Sequence, residues 1–260
     1  MPQLLEIAAG PVRLDDARRG TTRSVDLQSY RIGAFPVTTA EYTVRAHGHF
    51  DGDSNSNSNS NSALPDADEL PVAGVRWIDA ITWCNAASIA AGFEPAYALD
   101  EGTVTWRLHA AGFRLPTEAE WVRACRAGTD GARYGELDQI AWSAADEITG
   151  PQPVGRKNPN AFGLHDTLGN VWEWCWDRLD PARYGDYRVL KGGGWADPEW
   201  SCRAGVRRGD APDARLEDTG FRIAQGAPGP EGQGWSEAED RRRAATPGPR
   251  PVGWTPLASA

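Results

Sequence analysis

Apolar and polar positions alternate between Leu4 and Ile32, with Val25 and Leu27 and then Tyr30 and Ile32 two apart, a period that predicts strands of a half-buried sheet. The period changes at Thr38-Thr39-Ala40-Glu41. There the Thr38 hydroxyl and the Glu41 carboxylate make a capping box, and a helix is expected to run to about His47, with Gly48 ending it. Trp77, Ile81, Cys84 and Ser88 recur at helical spacing, with Asp79 in the first turn and Gly92 just past the end. This predicts a second helix with a core-facing side. Tyr97-Ala98-Leu99 and Val104-Thr105-Trp106 flank Asp100-Glu101-Gly102, the pattern of a hairpin. A third helix is expected from Thr117, capped with Glu120, placing Trp121 and Cys125 on one face. Trp172, Trp174 and Trp176 then alternate with Glu173, Cys175 and Asp177, which reads as a strand with three large rings on one side.

The pattern fails in two places. Residues 53–62 are alternating Ser and Asn with nothing apolar to bury, which predicts a disordered loop inside a domain spanning residues 1–226. From Ala227 to Ala260 the chain turns to Gly, Pro, Arg and acid, the composition of a disordered tail in which Trp235 and Trp254 are the only large anchors. A length of 260 residues suits one large domain. Lys and Arg number 27 against 36 Asp and Glu, a net charge of -9 that argues against nucleic acid or an anionic membrane surface as partner. No run of apolar residues is long enough to span a bilayer, and the N-terminus lacks the basic and apolar regions of a signal peptide. A cytoplasmic location is the expectation.

Candidate chemistry is sparse. Cys84, Cys125, Cys175 and Cys202 show no C-x-x-C spacing, so neither a zinc ribbon nor a redox pair is supported. His47 and His49 with Asp51 and Asp53 form an H-x-H-x-D-x-D cluster of the ligand types that suit zinc or non-haem iron, although a polar loop explains it as well. Asp166 and Glu173 are hard-oxygen donors on either side of Leu168-Gly169-Asn170, and a bend at Gly169 would bring them together with backbone carbonyls, a set suited to calcium. No P-loop or nucleophile elbow occurs.

Four blocks in order, G-F-R-L-P-T-E-A-E-W from Gly112, G-N-V-W-E-W from Gly169, K-G-G-G-W from Lys191 and G-F-R from Gly220, resemble the sulfatase-modifying-factor family of the formylglycine-generating enzymes. The resemblance runs from about Leu4 to Ala224 and implies an irregular α+β single domain similar to C-type lectins. It also implies structural calcium ligands at the Asp166 side chain, the Gly169 and Val171 carbonyls and the Glu173 carboxylate. Formylglycine generation in that family uses two thiolates to hold Cu(I). Here Cys202 falls on the second thiolate, Asp197 stands in place of the first, and Gly194 replaces a small hydroxyl residue. The resemblance therefore implies a diverged oxidoreductase whose candidate catalytic residues are Cys202, Asp197, Trp195 and Arg203, with copper or non-haem iron as the metal. The alternative is a calcium-stabilised binding or accessory module for a small molecule or peptide. Cys84 and Cys125 match disulfide cysteines of secreted relatives, but Ile223 replaces a later cysteine and none follows Cys202, so free buried thiols are expected.

Overall fold

Turn chemistry and capping start most of the elements where the pattern places them. In this computed structural model, which describes residues 2–16, 20–46, 66–226 and 233–245, the N-terminal alternation becomes strands β1 (Leu4–Ile7), β2 (Gly10–Asp16), β3 (Thr21–Leu27) and β4 (Tyr30–Gly33). Thr38 and Glu41 exchange side-chain and backbone hydrogen bonds of 3.2 and 3.3 Å ahead of helix α1 (Thr39–Ala46). Helix α2 (Trp77–Ala90) buries Trp77, Ile81, Cys84 and Ser88, as their spacing requires. The hairpin of β5 (Tyr97–Asp100) and β6 (Thr103–Trp106) turns through Glu101 and Gly102 at φ of 41° and 84°, a left-handed pair that leads one twisted strand into the next. Helix α3 (Glu118–Arg126) opens on the reciprocal Thr117 and Glu120 bonds, and short α4 (Leu137–Ile140) follows.

The second half builds the sheet that carries the site. Strand β7 (Trp172–Arg178), short α5 (Pro181–Tyr184), β8 (Arg188–Lys191), β9 (Arg208–Asp210), β10 (Thr219–Gly220) and β11 (Ala224–Gln225) are followed by α6 (Glu237–Ala244). Four strands pair in the order β10-β7-β8-β9, β10 parallel to β7 and the others antiparallel, so β9 is an edge. β4 lies between β1 and β11 in a separate three-stranded sheet. Both faces of β7 are buried. Trp172, Trp174 and Trp176 enter one apolar core with α2 and the β5–β6 hairpin, while Cys175 enters a second core with Trp121, Val122 and Cys125 of α3. The alternation is thus a strand shared by two cores, and its polar-looking side is interior as well.

Trp176 is the hub of the first core, with ring centroids 5.1 Å from Tyr97 and 5.4 Å from both Trp77 and Trp106. Each such pair adds about 0.5–1.5 kcal/mol beyond area burial. A fourth ring, Trp235, lies 5.5 Å away edge-on, which corrects the expectation of a structureless tail for residues 233–245. Its Nε1 donates to Asp240 at 2.8 Å, and the Gln233 carbonyl accepts from the Thr117 hydroxyl at 2.8 Å. One large ring with polar anchors on both sides offsets the entropy of ordering a short segment. The Ser/Asn run and the His47, His49, Asp51, Asp53 cluster lie outside the described residues. All four cysteines are free and buried, in keeping with the reading of Cys84 and Cys125. Among the described residues no helix is long and apolar enough to cross a membrane.

Candidate functional site

The bend before β7 is made by Gly169 and Asn170, both left-handed at φ of 72° and 60°. A side chain at Gly169 would collide with the Trp142 carbonyl, so this turn needs glycine for space as well as for φ. Asn170 closes the turn by exchanging two 2.9 Å bonds with the backbone of Gln152. The bend is also stitched to the loop after β8: Gly169 donates to the Gly192 carbonyl at 3.0 Å, and Trp195 donates to the Asn170 carbonyl at 2.8 Å. Two sequence blocks that lie apart in the chain therefore form one surface.

Glu173 does not face a ligand set. Arg222 grips its carboxylate with two bonds of 2.6 and 2.7 Å, and the Trp121 indole donates a third at 2.7 Å, with both ion-pair partners fully buried. Arg222 and Trp121 thus engage both oxygens of the carboxylate that the resemblance implies as a calcium ligand. Asp166 is different. Its carboxylate accepts from the Gly155 N–H at 2.7 Å and from Asn170 at 3.4 Å, and burial raises its pKa. Gly169 and Val171 are buried, and among the described residues no loop hydrogen bond ends on either carbonyl. By chemistry these three donors fit a hard cation.

Asp197 and Trp195 lie in the loop that follows β8, with Cys202 buried close to Asp197. Asp197 lies in the loop between β8 and β9, where its Oδ2 accepts from the Gly194 N–H at 2.9 Å and from the Trp172 indole. Cys202 packs under Gly193, whose added Cβ would lie 3.0 Å from the sulfur. Burial, and after it the Asp197 carboxylate, push the Cys202 thiol up to about 12. Both effects disfavour the thiolate, the form that acts as nucleophile or metal ligand. The donors here do not fit a Cu(I) dithiolate or an iron site: among the described residues no group of three or more His, Cys, Asp and Glu side chains could hold a metal.

The sequence reading missed two residues of this surface and misplaced a third. Arg208, on edge strand β9, has its guanidinium 5.4 Å from the Trp172 ring and 3.8 Å from Asp197 Oδ1, with just over half of its side chain exposed. Asp218 reaches the other side of Gly194, where an added Cβ would meet its Oδ2 at 2.7 Å; burial and then Asp197 raise its pKa. Its position just before the G-F-R block was the available signal. Arg203 is not part of this surface and lines a separate cavity, because the chain turns at Ser201–Arg203. The arrangement is one anchored, part-buried carboxylate, a second part-buried carboxylate and an exposed arginine around the buried Trp172 indole. Such a surface can recognise polar groups, and it presents neither a thiolate pair nor an activated base.

Residues 1–227 match the family described as the sulfatase-modifying factor enzyme 1-like domain. Formylglycine-generating enzyme of Thermomonospora curvata is 34% identical in an alignment of 199 positions that covers 63% of this chain and 58% of that protein. Inactive C-alpha-formylglycine-generating enzyme 2 of Bos taurus is 32% identical in an alignment of 192 positions that covers 66% of this chain and 56% of that one. The chain thus spans under two thirds of the length of these relatives. Among solved structures, Treponema denticola variable protein 1 superposes with a TM-score of 0.75 at 30% identity, covering 85% of this chain and 94% of that one.

Proposed function

Because the chain belongs to the sulfatase-modifying-factor family and has its α+β fold, we propose that it is a member that does not make formylglycine and acts as a binding or accessory domain. The observation that carries this reading is Asp197. A carboxylate held by the Gly194 N–H and the Trp172 indole stands where the first copper thiolate is expected, beside a single thiol that burial keeps protonated. In place of redox chemistry, the surface of Asp197, Asp218, Arg208 and Trp195 would hold a small molecule or peptide. Asp166 with the Gly169 and Val171 carbonyls would hold a structural calcium that stiffens the bend beneath it. The name of the Bos taurus relative, an inactive formylglycine-generating enzyme, supports the view that the fold persists without the reaction. Competition titration with Cu(I) tests the reading: wild type binds no more tightly than Cys202→Ala, and Asp197→Cys gains at least about tenfold in affinity. Tight Cu(I) binding by wild type that is lost in Cys202→Ala would overturn it.

A further inference from the structure

Arg203, turned away from the Asp197 surface, helps line a cavity of about 480 Å³ that none of Asp197, Cys202, Trp195 or Arg208 enters. The cavity lies between the end of α3, the loop after it, the end of β7 and the loop before β9, and its volume suits a ligand of one or two amino-acid residues. Its walls are fixed in advance. Ala204 donates to the Ala132 carbonyl at 2.8 Å, and Arg133 ties the two loops by donating to the Cys202 carbonyl at 3.0 Å and to Glu199 at 2.8 Å.

The charges on the walls are unevenly satisfied. Among the described residues the Arg203 guanidinium has no ion-pair or hydrogen-bond partner. Arg126 pairs with Asp15 at 3.3 Å and donates to the Arg13 carbonyl at 2.7 Å, yet its buried Nε has no acceptor. Arg126 is therefore committed to the wall, and Arg203 is the cation that faces the cavity without a partner. Asp130 also lines the cavity and is likewise without a partner among the described residues. Asp180 and Arg207 line the cavity as well, each with interactions of its own, and Leu179 and Val206 add aliphatic side chains to the walls.

A carboxylate for Arg203, an ammonium for Asp130 and a hydrocarbon body for Leu179 and Val206 describe a single compound class. We propose that this cavity binds a free α-amino acid with an aliphatic side chain. The site is independent of the Asp197 surface and does not rest on the function proposed for it. A guanidinium can meet a carboxylate with two donors, and the opposite charge of Asp130 fixes which end of the ligand points where.

Thermal-shift measurement on the full chain with proteinogenic amino acids at about 10 mM tests the proposal. Leucine, isoleucine or valine should raise the melting temperature by about 2 °C or more, as ligands of millimolar or better affinity do. Arg203→Gln, an exposed position, should keep the ligand-free melting temperature and lose the shift. Asp130→Asn should reduce it at least by half, and 3-methylbutylamine, which lacks the carboxylate, should give none. The proposal is overturned if no aliphatic amino acid shifts the wild type, if the shift survives in Arg203→Gln, or if the amine alone reproduces it. Asp197→Asn should leave the shift intact, and a loss there would also count against a separate site.

Discussion

Two carboxylate–arginine pairs flank the same part of the central sheet and differ in almost every physical respect. Glu173 and Arg222 are fully buried, bidentate and capped by the Trp121 indole, whereas Asp197 and Arg208 stand 3.8 Å apart with the arginine largely in solvent. The first pair has no freedom to exchange partners, since each charge was desolvated for the other. The second can. An arginine on an edge strand, resting on an indole, gives up a weak surface pair at little cost when a ligand offers something better. The acidic residue most conspicuous in the sequence is therefore architecture, and the one that departs from the family pattern sits where recognition can occur.

Breaking the buried pair gives the largest effect. Arg222→Met leaves a buried carboxylate without its cation and should cost about 3–5 kcal/mol in urea unfolding, enough to compromise folding. Arg208→Gln should cost under about 1 kcal/mol, because an exposed pair contributes little. Equal losses in the two variants would dissolve the distinction.

Calcium sharpens the comparison by dividing Asp166 from Glu173. Chelation should lower the stability of wild type, by about 2.7 kcal/mol if calcium had been at a hundredfold excess over its dissociation constant, and leave Asp166→Ala unmoved. Glu173→Gln, although less stable, should keep its response to chelator. A response lost in Glu173→Gln would restore Glu173 as a ligand and displace Arg222 from the account.

The strand and the capping boxes were legible because they depend on local pattern, whereas the second core, behind the polar-looking side of β7, was not. Trp172, Trp174 and Trp176 declare a strand period, and Thr117 with Glu120 announces a helix start, whatever the rest of the chain does. The partner of Glu173 was not legible, since Arg222 lies 49 positions away and only the fold brings them into contact. Arg203 and Arg208 are five positions apart and chemically identical. Which of them meets Asp197 is decided by the turn after Cys202 and the pairing of β8 with β9, and neither leaves a mark in spacing. Trp235 was visible as a possible anchor, but its slot between Trp106 and Trp176 is built by segments remote from it.

A smaller effect reports on Asp197 directly. Its charge follows burial among the causes that raise the Cys202 thiol, so removing that charge should lower the thiol pKa and increase the thiolate fraction. Alkylation of Cys202 in Asp197→Asn, followed by peptide mass spectrometry at about pH 8, should run a few-fold faster than in wild type, with the rates converging as pH rises toward the wild-type value. Unchanged rates would mean that Asp197 does not act on the sulfur.

The most direct measurement is turnover itself. Purified chain loaded with Cu(I), supplied with oxygen and a CxPxR-type peptide, is assayed for aldehyde by mass spectrometry. The account predicts no aldehyde from wild type, because one protonated thiol beside a fixed carboxylate cannot hold copper between two sulfurs. Aldehyde formed by wild type and abolished in Cys202→Ala would contradict it.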